Sequence, residues 1–159
     1  MLLMTLRLSN EKDAWQTALH ILTRRSHSES ELRQKLYHKD YTIDEVDQAV
    51  SRLLEYGYLN DTDFANTLFA KYLKMDKYSL YTIISKLKQH GLPDTIIESI
   101  KNSHNSEEEW QPALKLVSRR FKIVDAANKE KIYRFLATRG FSSTVIHKVF
   151  EKMNDLETE

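Results

Sequence analysis

Apolar residues along this chain recur at the spacings of helices buried on one side, and the same set of spacings occurs three times. Around Leu36 the set is Leu32, Leu36, Tyr41, Val46 and Ala49. Around Leu87 it is Ile83, Leu87, Leu92, Ile97 and Ile100, and around Leu136 it is Ile132, Leu136, Phe141, Ile146 and Val149. The anchor leucines stand 51 and 49 residues apart. Eight residues before each anchor comes Ser28, Ser79 or Asn128. The short polar side chain of each is suited to accept a free N–H of a helix's first turn.

An earlier helix precedes each set, marked by apolar residues four apart. These are Ala14, Ala18 and Leu22, then Ala65, Phe69 and Leu73, then Ala113, Val117 and Phe121. Start signals fall at Ser9/Asn10, at Asp61 and at the capping box Ser106-x-x-Glu109. A third helix begins near Thr42-x-x-Glu45, Pro93 and Ser142. Asp40, Gly91 and Gly140 sit where the middle helix must stop and tolerate a left-handed backbone. Gly57 ends the long helix from about Asp44 to Tyr56, after which Tyr58 and Leu59 fold back. The polar stretch 102–109 reads as a flexible joint.

Helices this short are marginal alone, so each apolar stripe needs a neighbour. The expected fold is all-α: an elongated solenoid-like array of three tandem three-helix repeats, spanning 9–60, 61–103 and 106–153.

Composition agrees. Three glycines and two prolines in 159 residues give little support to turn-rich β architecture. With no cysteine there is no disulfide or thiolate chemistry. The N-terminal MLLMTLRL is too short for a signal peptide, and no apolar run reaches a membrane span. A soluble cytoplasmic protein without membrane contact is expected.

The formal net charge is only +1, but its distribution is uneven. From Asp40 to Asp63 there are seven acids and one base; from Lys115 to Arg139 there are eight bases and two acids. Such asymmetry points to a charged partner surface. Cations recur on the middle helices as Lys35 and Lys39, Lys86 and Lys88, and Arg134 and Arg139. Others lie near the ends of first helices: Arg24 and Arg25, and Arg119, Arg120 and Lys122. These eleven residues form a candidate basic stripe for partner binding, weighed against dipole compensation at helix ends. Tyr41, Tyr58, Phe64, Phe69, Phe121, Phe141 and Phe150 fall on the apolar register and are expected in the core. Tyr37, Tyr78 and Tyr81 fall off it, near cations.

No catalytic motif emerges. The six histidines lack metal-ligand spacing, and there is no phosphate-cradling glycine loop and no nucleophile elbow. Carboxylate pairs sit at helix starts, where the dipole accounts for them. No cofactor, no metal and no enzymatic activity are expected.

The segments ALHILTRRSHSESELRQKL, LLEYGYLNDTDFA, ISKLKQHGL, LVSRRFK and IYRFLATRGF, in that order and spacing, resemble the RecX family of recombinase regulators. The resemblance runs from about Trp15 to Phe150. It departs where the family often has Lys-Gly before the second middle helix; here the stretch is Asp76-Lys77-Tyr78-Ser79.

The resemblance implies an elongated helical protein of three repeats. It implies a monomer that binds the RecA filament on single-stranded DNA and lodges in its groove. Filament growth, ATP hydrolysis and strand exchange would be inhibited, with or without direct contact to the DNA. Two alternatives stand beside it. In a helical DNA-binding protein the third helix of each repeat would enter a groove, although Asp44, Glu45, Asp47 and Glu55 there would repel phosphates. The other is a peptide-binding helical scaffold.

Overall fold

The computed structural model describes residues 13–104, 108–121 and 126–157. Every regular element among them is a helix. In chain order these are α1 (Ala14–Arg24), α2 (Glu29–Tyr37), α3 (Ile43–Glu55), α4 (Asp61–Lys74), α5 (Leu80–Gln89), α6 (Asp94–Ser103), α7 (Trp110–Arg120), α8 (Ala126–Ala137) and α9 (Ser143–Glu157). The chain divides into two compact bodies, Met1–Phe64 and Ala65–Glu159, the division falling in the first turn of α4.

The three-fold spacing becomes three-fold local structure. Leu32, Leu36 and Val46 are fully buried, as are Ile83, Leu87 and Ile97, and Ile132, Leu136 and Ile146. In the N-terminal body α1 packs on α2 and α3, and α2 on α3. Ala18, Leu32, Leu36, Val46, Val50, Leu53 and Leu59 form its core. In the C-terminal body α7 and α8 pack on α9 around Val117, Leu136, Ile146 and Val149. Burying each large aliphatic chain stabilises the fold by about 1.5–3 kcal/mol.

Helix ends follow the sequence in detail. Ser28 Oγ accepts from Glu31 N at 3.1 Å, and Ser79 Oγ from Thr82 N at 3.1 Å. Thr42 and Glu45 form a reciprocal capping box. Ser142 Oγ accepts from Val145 N at 3.3 Å ahead of α9. Asp40, Gly91 and Gly140 all have left-handed φ, of 62°, 70° and 81°. After Gly57, the N–H groups of Tyr58 and Leu59 both return to the carbonyl of Leu53.

Several starts differ from expectation. α1 is capped by Asp13, whose carboxylate accepts from Gln16 N at 2.7 Å; Ser9 and Asn10 lie outside the described residues. Asn60, not Asp61, caps α4, accepting from Thr62 N and Asp63 N at 3.0 and 3.1 Å. Asp61 is thereby freed for another contact. α8 starts at Ala126, so Asn128 sits within its first turn; the two alanines before it favour helix and extend it. α6 begins directly after Pro93, as expected, with the proline one place ahead of the first-turn position that its missing N–H suits. Glu109 occupies the cap position of α7 without capping it, and Ser106 is outside the described residues. α6 runs through Ser103, taking up the start of the polar stretch, of which 105–107 lie outside the description.

Two residues assigned to the core are exposed. Tyr58 follows the Gly57 turn and projects outward while Leu59 takes the buried place. Leu73 lies on the exposed side of the last turn of α4. Tyr41, Phe69 and Phe121 are half-buried, and the hydroxyl of Tyr41 bonds that of Thr17 at 2.7 Å.

Candidate partner-binding grooves

The cations at the end of α1 and along α2 converge because both helices present their outer faces to one cleft. Arg24 and Arg25 close α1, and Lys35 and Lys39 stand four apart on and just beyond α2. Together with His20, Ile21, His27 and His38 they line an open groove of about 750 Å³. All four sequence-chosen cations of the first repeat thus share one site. The histidines were not chosen, although a periodic signal existed: His20 precedes Arg24 by four residues, and His38 follows Lys35 by three.

One carboxylate anchors the groove. Glu31 Oε2 receives Arg25 Nη1 at 3.3 Å and His27 Nδ1 at 2.9 Å. An ionised carboxylate only accepts, so Nδ1 of His27 carries the proton of that bond. The His27 ring is only 4% exposed. Burial holds its pKa below 6.5, the Glu31 bond working the other way and the Arg25 charge adding to the depression. Arg24, Lys35 and Lys39 have no carboxylate partner among the described residues and are exposed. Four cations against one acid leave the groove strongly positive.

A second groove occupies the equivalent place in the third repeat. Arg120, Phe121, Lys131, Arg134, Phe135, Thr138 and Arg139 line about 390 Å³ between the end of α7 and the face of α8. The Arg139 guanidinium stacks on Phe135 at 3.8 Å and donates from Nη1 to the Phe135 carbonyl at 3.0 Å. Arg120 lies over the same ring at 5.4 Å. Arg134 pairs with Glu130 at 2.5 Å. Lys131, which sequence inspection passed over, has no acidic partner among the described residues. Arg119 is exposed near this groove's end of α7 without lining it, and Lys122 lies outside the described residues.

The cations of the second repeat are differently engaged. Lys86 is turned onto aromatic rings, 4.7 Å from the centroid of Tyr78 and 5.7 Å from that of Tyr72. Lys88 pairs with Asp94 at 3.3 Å. Tyr78 therefore holds a cation of its own chain, while Tyr37 and Tyr81 are exposed. Among the described residues no three His, Asp or Glu are disposed to hold a metal ion, and no helix is long and apolar enough to cross a membrane.

Comparison with known proteins agrees with this architecture. Residues 14–53 match the family model of the RecX first three-helix domain, and residues 107–150 that of the RecX third three-helix domain. A regulatory protein RecX of Trichlorobacter lovleyi is 34% identical over 88% of this chain and 95% of its own length. One of Syntrophotalea carbinolica is 30% identical over the same shares. The crystal structure of RecX from Lactobacillus salivarius superposes with a TM-score of 0.78 over 89% of this chain and 94% of that one, at 19% identity, a likeness of fold. The tandem helical repeats, the two matched domains and the relatives matched over most of their length together make this chain a member of the RecX family of regulatory proteins.

Proposed function

We propose that this chain regulates a RecA-type recombinase. It binds the filament that the recombinase forms on single-stranded DNA and inhibits extension, ATP hydrolysis and strand exchange, acting by binding and not by catalysis. Three tandem units, 9–60, 61–103 and 106–153, would follow the filament in the cytoplasm, the chain being a monomer when free.

The observation that carries this reading is the recurrence of one cationic groove, at the end of a first helix and the face of a middle helix, in the first and third repeats. Charges left without partners on a folded surface are available to a partner's acids or phosphates, and they raise association rates. Arg24, Lys35, Lys39, Arg119 and Lys131, which have no acidic partner among the described residues, are the leading contact residues in this reading. Arg25, Arg120, Arg134 and Arg139, like Lys86 and Lys88, are already held by neighbours and contribute less, and Lys122 lies outside the described residues.

The test is DNA-dependent ATP hydrolysis by a RecA-type recombinase with this chain at substoichiometric ratio. Hydrolysis should fall progressively as the chain is added. An unchanged rate, with no chain retained on the filament, contradicts the proposal.

A further inference from the structure

The outward face of α3 is unlike the grooves. Asp44, Gln48, Ser51 and Glu55 follow at helical spacing and share one exposed stripe. Asp40, Asp44 and Glu55 enter no ion pair among the described residues. At its C-terminal end stands an exposed aromatic group. Trp15 meets Tyr56 and Tyr58 edge-on, with centroids 5.8 and 6.4 Å apart, while Tyr56 and Tyr58 are 60% and 61% exposed. The Arg52 guanidinium already lies 4.2 Å above the Trp15 ring, so this cluster holds a guanidinium within its own chain. Two carboxylates without ion-pair partners, Asp44 and Glu55, with the exposed rings of Tyr56 and Tyr58 beyond Glu55, are chemically suited to a surface of arginine and lysine side chains.

This chain carries such a surface. Of the acids in 40–61, Asp47 pairs with Arg33, Glu45 closes the capping box and Asp61 caps α2, which leaves Asp40, Asp44 and Glu55 to face a partner. On the basic side Arg119 and Lys131 are exposed and without acidic partners among the described residues, and Arg120 is exposed beside them. We propose that a second copy of this chain docks its α7–α8 cations on the acidic, aromatic α3 face of the first. The contact is heterologous: each copy offers one surface of each kind, so copies join head to tail, in a ring or an open row. It is built from exposed charges and is therefore weak in dilute solution, where the chain is a monomer. Copies brought side by side on a common polymer meet at high effective concentration, and there it acts. The contact shares Arg119, Arg120 and Lys131 with the filament reading and rests on it to this extent: on a filament the first-repeat groove carries the recombinase contact and the third-repeat cations serve the neighbouring copy.

Velocity sedimentation of the full chain alone tests it. In about 10 mM salt, where the screening length is ~30 Å, the sedimentation coefficient should rise with protein concentration; in about 1 M salt, where it is ~3 Å, the rise should vanish. Asp44→Lys with Glu55→Lys should abolish the rise, and so should Arg119→Glu with Lys131→Glu. An equimolar mixture of these two variants should restore it, because one native and one reversed contact are then complementary. A wild-type coefficient independent of concentration in low salt, or a mixture that stays monomeric, overturns the proposal. If such a non-associating wild-type chain still inhibits recombinase ATP hydrolysis, the failure belongs to the self-contact and not to the filament reading.

Discussion

Gly140 carries two constraints where Gly57 carries one. Both have left-handed φ, 81° and 72°. At Gly57 an added Cβ meets open space, whereas at Gly140 it would lie 2.7 Å from Ser79 Oγ and from Thr82 Oγ1. Thr82 Oγ1 also donates to the Arg139 carbonyl at 2.8 Å, so the end of α8 rests on the start of α5. Gly57→Ala should cost about 1 kcal/mol, the backbone strain alone. Gly140→Ala should cost about 2–3 kcal/mol, strain and overpacking together. Urea unfolding midpoints of the two variants read the difference. The left-handed turn at Gly140 was legible from its place after a middle helix. The second constraint was not, because Ser79 and Thr82 lie some 60 residues away in sequence. His27 is a second residue whose role needed coordinates. Its depressed pKa means that the unfolded chain takes up a proton more readily than the folded one. The stability it contributes is therefore complete above pH 6.5 and is lost as pH falls from 6.5 through its lower folded value. The melting temperature should decline across that window, and His27→Gln should flatten the decline.

Each helix end expected from local rules was a question of three or four residues, which is why most were legible. The capping of α2 by Ser28, of α3 by Thr42 and of α9 by Ser142 needs no tertiary information. The remaining orphan donors at two middle helices are met from a distance. Glu29, the first residue of α2, donates its N–H to Asp61 Oδ1 at 2.8 Å, and Leu80, the first residue of α5, donates its N–H to Glu109 Oε1. In both cases a carboxylate at the start of the next repeat's first helix completes the cap of the middle helix before it. Burial raises the pKa of both carboxyls, opposed by these same N–H bonds. The two residues looked like local caps in sequence, and Asn60 and the turn before α7 show why they are free to reach elsewhere. Asp61→Ala should destabilise the N-terminal body by about 1 kcal/mol, whereas Asp61→Asn, which keeps an acceptor without a buried charge, should cost less than about half of that. Denaturation at pH 7 of both variants against wild type decides it.

At the scale of the whole molecule, the three-fold recurrence was the most legible property, because a buried face repeats only if the packing repeats. Leu36, Leu87 and Leu136 are each completely buried, as their common register required. The grooves were half legible. Sequence spacing put Lys35 and Lys39 on one face, but the convergence of Arg24 and Arg25 on them follows from how α1 meets α2. The fate of Lys86 and Lys88 was hidden, since it depends on Tyr72, Tyr78 and Asp94 as folded neighbours. Charge reversal in the first groove tests the account at this scale because exposed cations contribute little to folding. Lys35→Glu with Lys39→Glu should leave the melting temperature within about 2 °C of wild type, so that any loss of binding is a loss of contact. The decisive measurement is the affinity of wild type and of this double variant for a preassembled recombinase filament on single-stranded DNA. The account predicts a fall of at least about tenfold, equivalent to ~1.4 kcal/mol, in the variant. Equal affinity of the two proteins for the filament would contradict it.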